Sequence, residues 1–321
     1  MPGVVLQPLS LAELLDRMFS LYRKNFLLFF GIMLLPSLLA MAAGILMALV
    51  RAPMMGTRTA SAAVNAAFIG SAFGGFLVAM IAYWIVYAVA LGASTFAVGD
   101  VYLGRTATIA ASYRRVRGRI GRLLWLMLLV AVRVFGIFLL SLVGFALLIP
   151  AIGVGRGSAM AVVIGVTMLV LFPVGFVAMI WLMLRYSICI PSLVLEDVRA
   201  GQAIRRSVQL MKGNYLRCFL LLVLTLIITY VSLMIFQGPF YVAMILMTRH
   251  GQVAIWLLSL SSVFGGLGQA LSAPLIMIGL VLLYYDIRVR KEAFDLQLMM
   301  SLVDQAGVQP APGAVAAAPS A

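Results

Sequence analysis

Six long apolar runs separated by short polar stretches dominate the chain: roughly Phe26 to Val50, Phe73 to Val98, Leu123 to Ile149, Ala159 to Leu184, Tyr215 to Phe236 and Phe264 to Tyr285. Each is about as long as the roughly 20 residues a helix needs to cross bilayer hydrocarbon. Pro173 and Pro274 lie inside two of the runs, and membrane helices accept proline where neighbours satisfy the freed carbonyls. The stretch Gln237 to Val263 opens with a Gln-Gly-Pro break, which predicts an interfacial helix rather than a further span. The pattern as a whole predicts an all-α, polytopic helical membrane bundle of about six transmembrane helices. It forms a single integral membrane domain over residues 1–304, and the Ala/Pro/Gly-rich stretch 305–321 is expected to be a disordered tail.

The polar stretches carry a second pattern. From Ser10 to Phe26, helical spacing puts Leu11, Leu14, Leu15, Met18, Tyr22 and Phe26 on one face and Glu13, Asp16, Arg17, Ser20 and Arg23 opposite. Ser10 and Glu13 have the spacing of a capping box that would start this helix. The segment Ala200 to Tyr215 aligns with it without a gap, matching Arg17 to Arg206, Leu21 to Leu210, Arg23 to Lys212, Asn25 to Asn214 and Phe26 to Tyr215. A middle segment aligns more weakly, Arg17 with Arg115 and Lys24 with Arg122. The implied unit is an interfacial amphipathic helix plus a two-span hairpin, recurring every 91 to 98 residues as repeats 8–99, 100–184 and 198–290. With two spans per unit the copies would be parallel, about an axis along the membrane normal. The alternative is that any helix entering a membrane from its basic side looks like this.

Composition agrees with the spans: 64% of the 321 residues are hydrophobic and 10% charged, where a soluble domain carries about a quarter charged. The net charge of +14 is explained by its distribution. Eighteen Lys and Arg fall on one side of the expected spans, with all nine acidic residues, against Arg51, Arg58, Arg156 and Arg249 on the other. Both termini and the basic loops are therefore expected in the cytoplasm of a bacterial inner membrane. Nucleic acid is not an expected partner, because no soluble stretch is long enough to carry a basic domain.

Catalytic chemistry is missing from the pattern. There is no glycine loop ending in Lys-Ser/Thr, no Gly-x-Ser-x-Gly elbow and no His-Glu-x-x-His. The two cysteines, Cys189 and Cys218, and the single histidine, His250, make no metal set. The amino terminus, with Glu13 and Asp16 before a long apolar run, does not read as a cleavable signal peptide. No cofactor and no enzyme activity are expected.

Two features point to binding. Arg114, Arg115, Arg117, Arg119 and Arg122 sit within nine residues without an acidic neighbour, so they are candidate contacts for anionic headgroups, or simply topology determinants. Arg133 falls near the middle of the third span, while no span holds an Asp or Glu to pair with it. A cation at that depth costs roughly 2.5–3.5 kcal/mol on insertion scales. It is expected to face the bundle interior, with Gln269 and carbonyls freed near Pro274 as partners.

Three motifs in order carry a family resemblance. The first is Pro8-Leu-Ser-Leu-Ala-Glu-Leu-Leu-Asp16-Arg17 with Tyr22-Arg-Lys-Asn25-Phe26. The second is Pro191-Ser-Leu-Val-Leu-Glu196-Asp197, then Ala203-Ile-Arg-Arg-Ser207 and Leu210-Met-Lys-Gly213. The third is Tyr284-Tyr-Asp286-Ile-Arg288-Val-Arg290-Lys-Glu292-Ala-Phe-Asp295-Leu. Over about residues 8 to 298 the chain resembles the bacterial proteins named for the glycerophosphoryl diester phosphodiesterase membrane domain, departing from their pattern with Ala293 where glycine is usual. That domain is sometimes fused to a phosphodiesterase barrel with metal-binding carboxylates and histidines. One histidine cannot supply such a site, so the resemblance implies no hydrolase activity here.

Within these motifs Glu13, Asp16, Glu196, Asp197, Asp286, Glu292 and Asp295 share the basic side with Arg17, Arg205, Arg206, Arg288 and Arg290. They are expected to form a belt of ion pairs fixing the interfacial helices to the bundle. The functional expectation is a non-catalytic integral membrane module at the cytoplasmic leaflet, binding anionic lipid or an envelope protein partner. The alternative is a transporter or channel for a small anionic solute with Arg133 in its pathway.

Overall fold

The computed structural model describes residues 9–56, 62–154, 159–249 and 255–292. The expected tail, His250 and Asp295 lie outside them. Ten α-helices follow one another: α1 (Leu11–Lys24), α2 (Phe26–Gly56), α3 (Ala62–Tyr102), α4 (Ile109–Val116), α5 (Ile120–Val154), α6 (Ala159–Arg185), α7 (Cys189–Glu196), α8 (Ala200–Met211), α9 (Tyr215–Arg249) and α10 (Ile255–Glu292). Six are long and apolar enough to cross a membrane, and the protein is a helical membrane bundle.

The short helices start and stop where the local chemistry requires. At α1 the capping box forms as expected: the Glu13 amide donates to the Ser10 hydroxyl and the Ser10 amide to the Glu13 carboxylate. Thr108 caps α4 by accepting from the Ala111 amide at 3.3 Å. The turns after α3 and α8 need a left-handed residue, and Gly104 (φ +75°) and Gly213 (φ +82°) supply it. Lys291 of α10 then reaches two carbonyls at the end of α8, those of Gln209 and Lys212.

One expectation is corrected. Gln237-Gly238-Pro239 does not end the fifth span; α9 continues through it to Arg249, and α10 already begins at Ile255. The stretch is thus mostly spanning helix and not an interfacial one. In hydrocarbon a proline forfeits one backbone hydrogen bond, whereas a broken helix would strand several polar groups.

The contacts between elements follow a cyclic order. The hairpins α2–α3, α5–α6 and α9–α10 each pack their first helix against the second helix of the hairpin before: α5 against α3, α9 against α6, and α2 against α10, which closes the ring. The short amphipathic helices obey the same rule, with α4 on α3, α8 on α6, and α1 on α10. Each donates one hydroxyl to a carbonyl of the hairpin it covers: Tyr22 to Leu271 (2.7 Å), Tyr113 to Ile32 (2.6 Å) and Ser207 to Arg185 (3.0 Å).

The ring is not evenly closed. α10 is buried along almost all of its length between α1, α2, α3 and α9, as expected for a helix apolar on every side. Close approach there depends on small residues. A Cβ on Gly279 would meet Leu221 at 3.0 Å and Met18 at 3.1 Å, and Gly265, Gly266 and Gly268 face Gln237, Met41 and Phe236. By contrast Gly70 and Gly74, which the sequence also offers for packing, face nothing within 4 Å. The α5–α6 hairpin meets the rest more sparsely, mainly through the first turns of α5 (Leu123, Leu126) and through α7 and α8.

Gly279→Leu should therefore lower stability in detergent by about 1–3 kcal/mol, the usual cost of overpacking, while Gly74→Leu leaves it unchanged. Thermal unfolding of the two variants checks this contrast.

Candidate functional site

The charged residues of the basic rim gather into three clusters, each centred on carboxylates. The innermost is Asp286 on α10, whose side chain is 0% exposed. It accepts hydrogen bonds from the Leu9 amide (2.7 Å), Arg217 (2.7 Å) and Arg290 (3.1 Å). The same two arginines donate to the Leu9 carbonyl, each at 2.6 Å. Both polar groups of one residue just ahead of α1 are thus gripped by a buried charge cluster. A buried carboxylate is tolerable on such terms because two guanidinium groups and an amide replace its water.

The second cluster joins α7, α8 and α10. Arg206 binds Glu196 at 3.1 Å and also pairs with Glu292; Arg288 binds Glu292 at 3.0 Å, and the Tyr284 hydroxyl donates to Glu196 at 2.6 Å. Desolvation works against the Arg206 charge, but the two carboxylates outweigh it and hold its pKa above the usual arginine value. The third cluster ties the start of α5 to the end of α7. Arg119 and Arg122 bind Asp197 at 3.1 and 2.8 Å, and Arg119 also donates to the Val194 carbonyl at 2.6 Å. Asp197 itself stands in the left-handed region, at φ +54°. Nearby Arg115 pairs with Asp100, and Arg115 and Arg119 both lie over the Phe96 ring.

Much of the expected belt is therefore brought together: Glu196, Arg206, Asp286, Arg288, Arg290 and Glu292. Other members have different duties. Glu13 serves the capping box, and its bonds from Ser10 hold its carboxyl below the usual glutamate pKa. Arg17 stacks over the Tyr102 ring at 5.3 Å. Asp16 and Arg205 make no ion pair among the described residues. Sequence reasoning missed Arg217, Leu9 and Tyr284. Arg217 sits in the first turn of α9 and had been counted only toward topology, although a cation there, close to a span, is placed to reach inward.

The five-arginine run divides. Arg115, Arg119 and Arg122 are committed to protein carboxylates, while Arg114 and Arg117 are exposed and, like the exposed Arg105, make no ion pair among the described residues. A polar cavity of about 350 Å³ lies between these elements, bordered by Arg105, Arg115, Arg119, Asp100 and Arg288.

The expectation for Arg133 is overturned. Its side chain is exposed on the outside of α5 and donates to the Leu129 carbonyl of its own helix at 3.3 Å. α5 turns Leu123, Leu126 and Val134 inward, leaving Arg133 on the flank with its guanidinium drawn back toward the basic rim, the direction helical side chains favour. Gln269 is not its partner; it donates to the Tyr83 hydroxyl at 2.6 Å. The carbonyl of Leu271, just before Pro274, is taken by Tyr22.

Beneath the rim, an apolar crevice of about 660 Å³ separates α6 from α9, with Gln269 and Ala273 of α10 at its back. A second apolar cavity of about 290 Å³, between α3, α5 and α6, shares Met183, Leu222 and Ile276 with it. Both flank the sparsely packed hairpin.

Residues 160–301 match the family model described as the membrane domain of glycerophosphoryl diester phosphodiesterase. This stretch holds Glu196, Arg206, Asp286 and Arg288, so it includes the carboxylates and most of the arginines of the first two clusters. No curated protein and no solved structure matches the chain.

Asp286→Ala should destabilise the protein by about 3 kcal/mol, the lower end for breaking a buried ion pair, because Arg217 and Arg290 keep some contact with water. The loss should show as faster proteolysis at both ends of the chain and not only at the carboxyl end. The lowered Glu13 pKa means its contribution is complete above the ordinary glutamate range and lost as pH falls through the folded value. Acidification should therefore loosen the start of α1 in the wild type, and Glu13→Gln should remove that acid response in hydrogen exchange.

Proposed function

We propose that this membrane domain is a non-catalytic module of the bacterial inner membrane whose rim, on the cytoplasmic side, binds anionic lipid headgroups. The observation that carries this reading is the division of labour among the rim arginines. Those needed for the fold are consumed by Asp100, Glu196, Asp197, Asp286 and Glu292, yet Arg105, Arg114 and Arg117 stand exposed beside them without an acidic partner among the described residues. Cations at an anionic leaflet gain about 1 kcal/mol each, so three of them supply a clear preference for anionic lipid. An envelope protein with an acidic surface would use the same three residues.

A carrier or channel for a small anion is the weaker reading. Its pathway was to run through Arg133, and that residue lies on the outside of α5. The crevice that enters the bundle at membrane depth is walled by apolar side chains with few polar groups.

The test is to exchange Arg105, Arg114 and Arg117 together for glutamine and measure lipid selectivity in mixed vesicles by fluorescence energy transfer. The preference for anionic over zwitterionic lipid should fall roughly tenfold to a hundredfold and, in the wild type, weaken with added salt. An unchanged preference would rule the rim out.

A further inference from the structure

We propose that the crevice between α6 and α9 is a specific phospholipid site, with an acyl chain in the apolar groove and the phosphate held by Arg185. This rests on the lipid-binding reading above but uses different residues. The groove, about 660 Å³, falls within the range of roughly 300–1,000 Å³ of ligand pockets. It opens outward between Phe176 on α6 and Phe219 and Leu226 on α9, all exposed on spanning helices. What borders that mouth in a membrane is hydrocarbon. Toward the rim the groove adjoins the second cavity, whose lining reaches Tyr186 and Ile190. Together they form an apolar track leading from the rim into the bilayer.

Arg185 stands at the rim end of this track. It is the last residue of α6, between Leu184, which lines the groove, and Tyr186, which lines the second cavity. Its guanidinium lies over the Trp181 ring at 4.8 Å, and its Nε is buried with no hydrogen-bond partner among the described residues. Every other arginine described above as meeting a carboxylate has its charge answered by protein; this one presents a donor with nothing to receive it. A buried unmet donor on a cation is costly, and a phosphate oxygen is the acceptor that a guanidinium fork fits best. Exposed Trp181 beside it is the residue type that marks headgroup level. The two observations are independent. One calls for a chain, the other for an anion at its end, and a phospholipid supplies both.

The test is native mass spectrometry of the full-length protein, delipidated in detergent and titrated with phosphatidylglycerol. Wild type should retain one lipid more tightly than all others. Arg185→Gln should weaken that lipid about ten- to a hundredfold, as expected for losing a charged hydrogen-bonding partner. Ala273→Phe, which fills the back of the groove, should remove it, and Ala273→Leu serves if the larger side chain disturbs folding. Inorganic phosphate should not compete. Retention unaffected by both Arg185→Gln and the Ala273 variant would overturn the proposal, and displacement by phosphate alone would reduce it to a free-anion site. The rim triple variant separates the two readings. It should leave the tight lipid in place while reducing weakly held anionic ones. If it changes nothing while Arg185→Gln removes one lipid, the rim reading fails and the crevice site stands.

Discussion

Apolar helices surrounded by lipid gain nothing from hiding from water, so packing between them is decided by close van der Waals fit and by polar ties. In this protein the polar ties are almost all at one level. The buried carboxylate of Asp286 holds α1, α9 and α10 through Leu9, Arg217 and Arg290. Glu196 and Glu292 hold α7, α8 and α10, and Asp197 holds α5 to α7. Each seam of the three-hairpin ring thus has its own charge cluster at the rim. Away from the rim, only the α2–α10 and α9–α10 contacts are close, where glycines admit neighbouring side chains.

This arrangement accounts for the uneven ring. Where rim clusters and glycine contacts act together, around α10, the structure is tightly buried. Where only the rim acts, along α5 and α6, apolar space opens between the helices, and the groove beneath Arg185 is part of it. We propose duplication of a helix-plus-hairpin unit as the origin of the cyclic order, which the matching hydroxyl contacts of Tyr22, Tyr113 and Ser207 support.

The spans, the capping box and the existence of an ion-pair belt were legible in the sequence because each depends on local pattern: run length, a four-residue motif, or charges concentrated on one side. Partnerships were not. Arg133 has the right depth for an interior site, but its facing depends on how far α5 has diverged from α3, which no periodicity within α5 records. Gln237-Gly-Pro reads as a break by the rules of soluble helices, and hydrocarbon changes those rules. Arg217 escaped notice because the positive-inside pattern already explained it. The chance that a topology residue also builds structure is visible only once Leu9 and Asp286 are seen on either side of it.

The central claim is that rim carboxylates, rather than contacts at bilayer depth, seat the α5–α6 hairpin. Spin labels on α6 and α9, compared by electron-resonance distance measurement in wild type and in Asp197→Asn with Glu196→Gln, test it directly. The account predicts that the α6–α9 distance broadens and lengthens in the variant while a control pair on α2 and α10 keeps its narrow distribution. An α6–α9 distribution unchanged by loss of both carboxylates would contradict it.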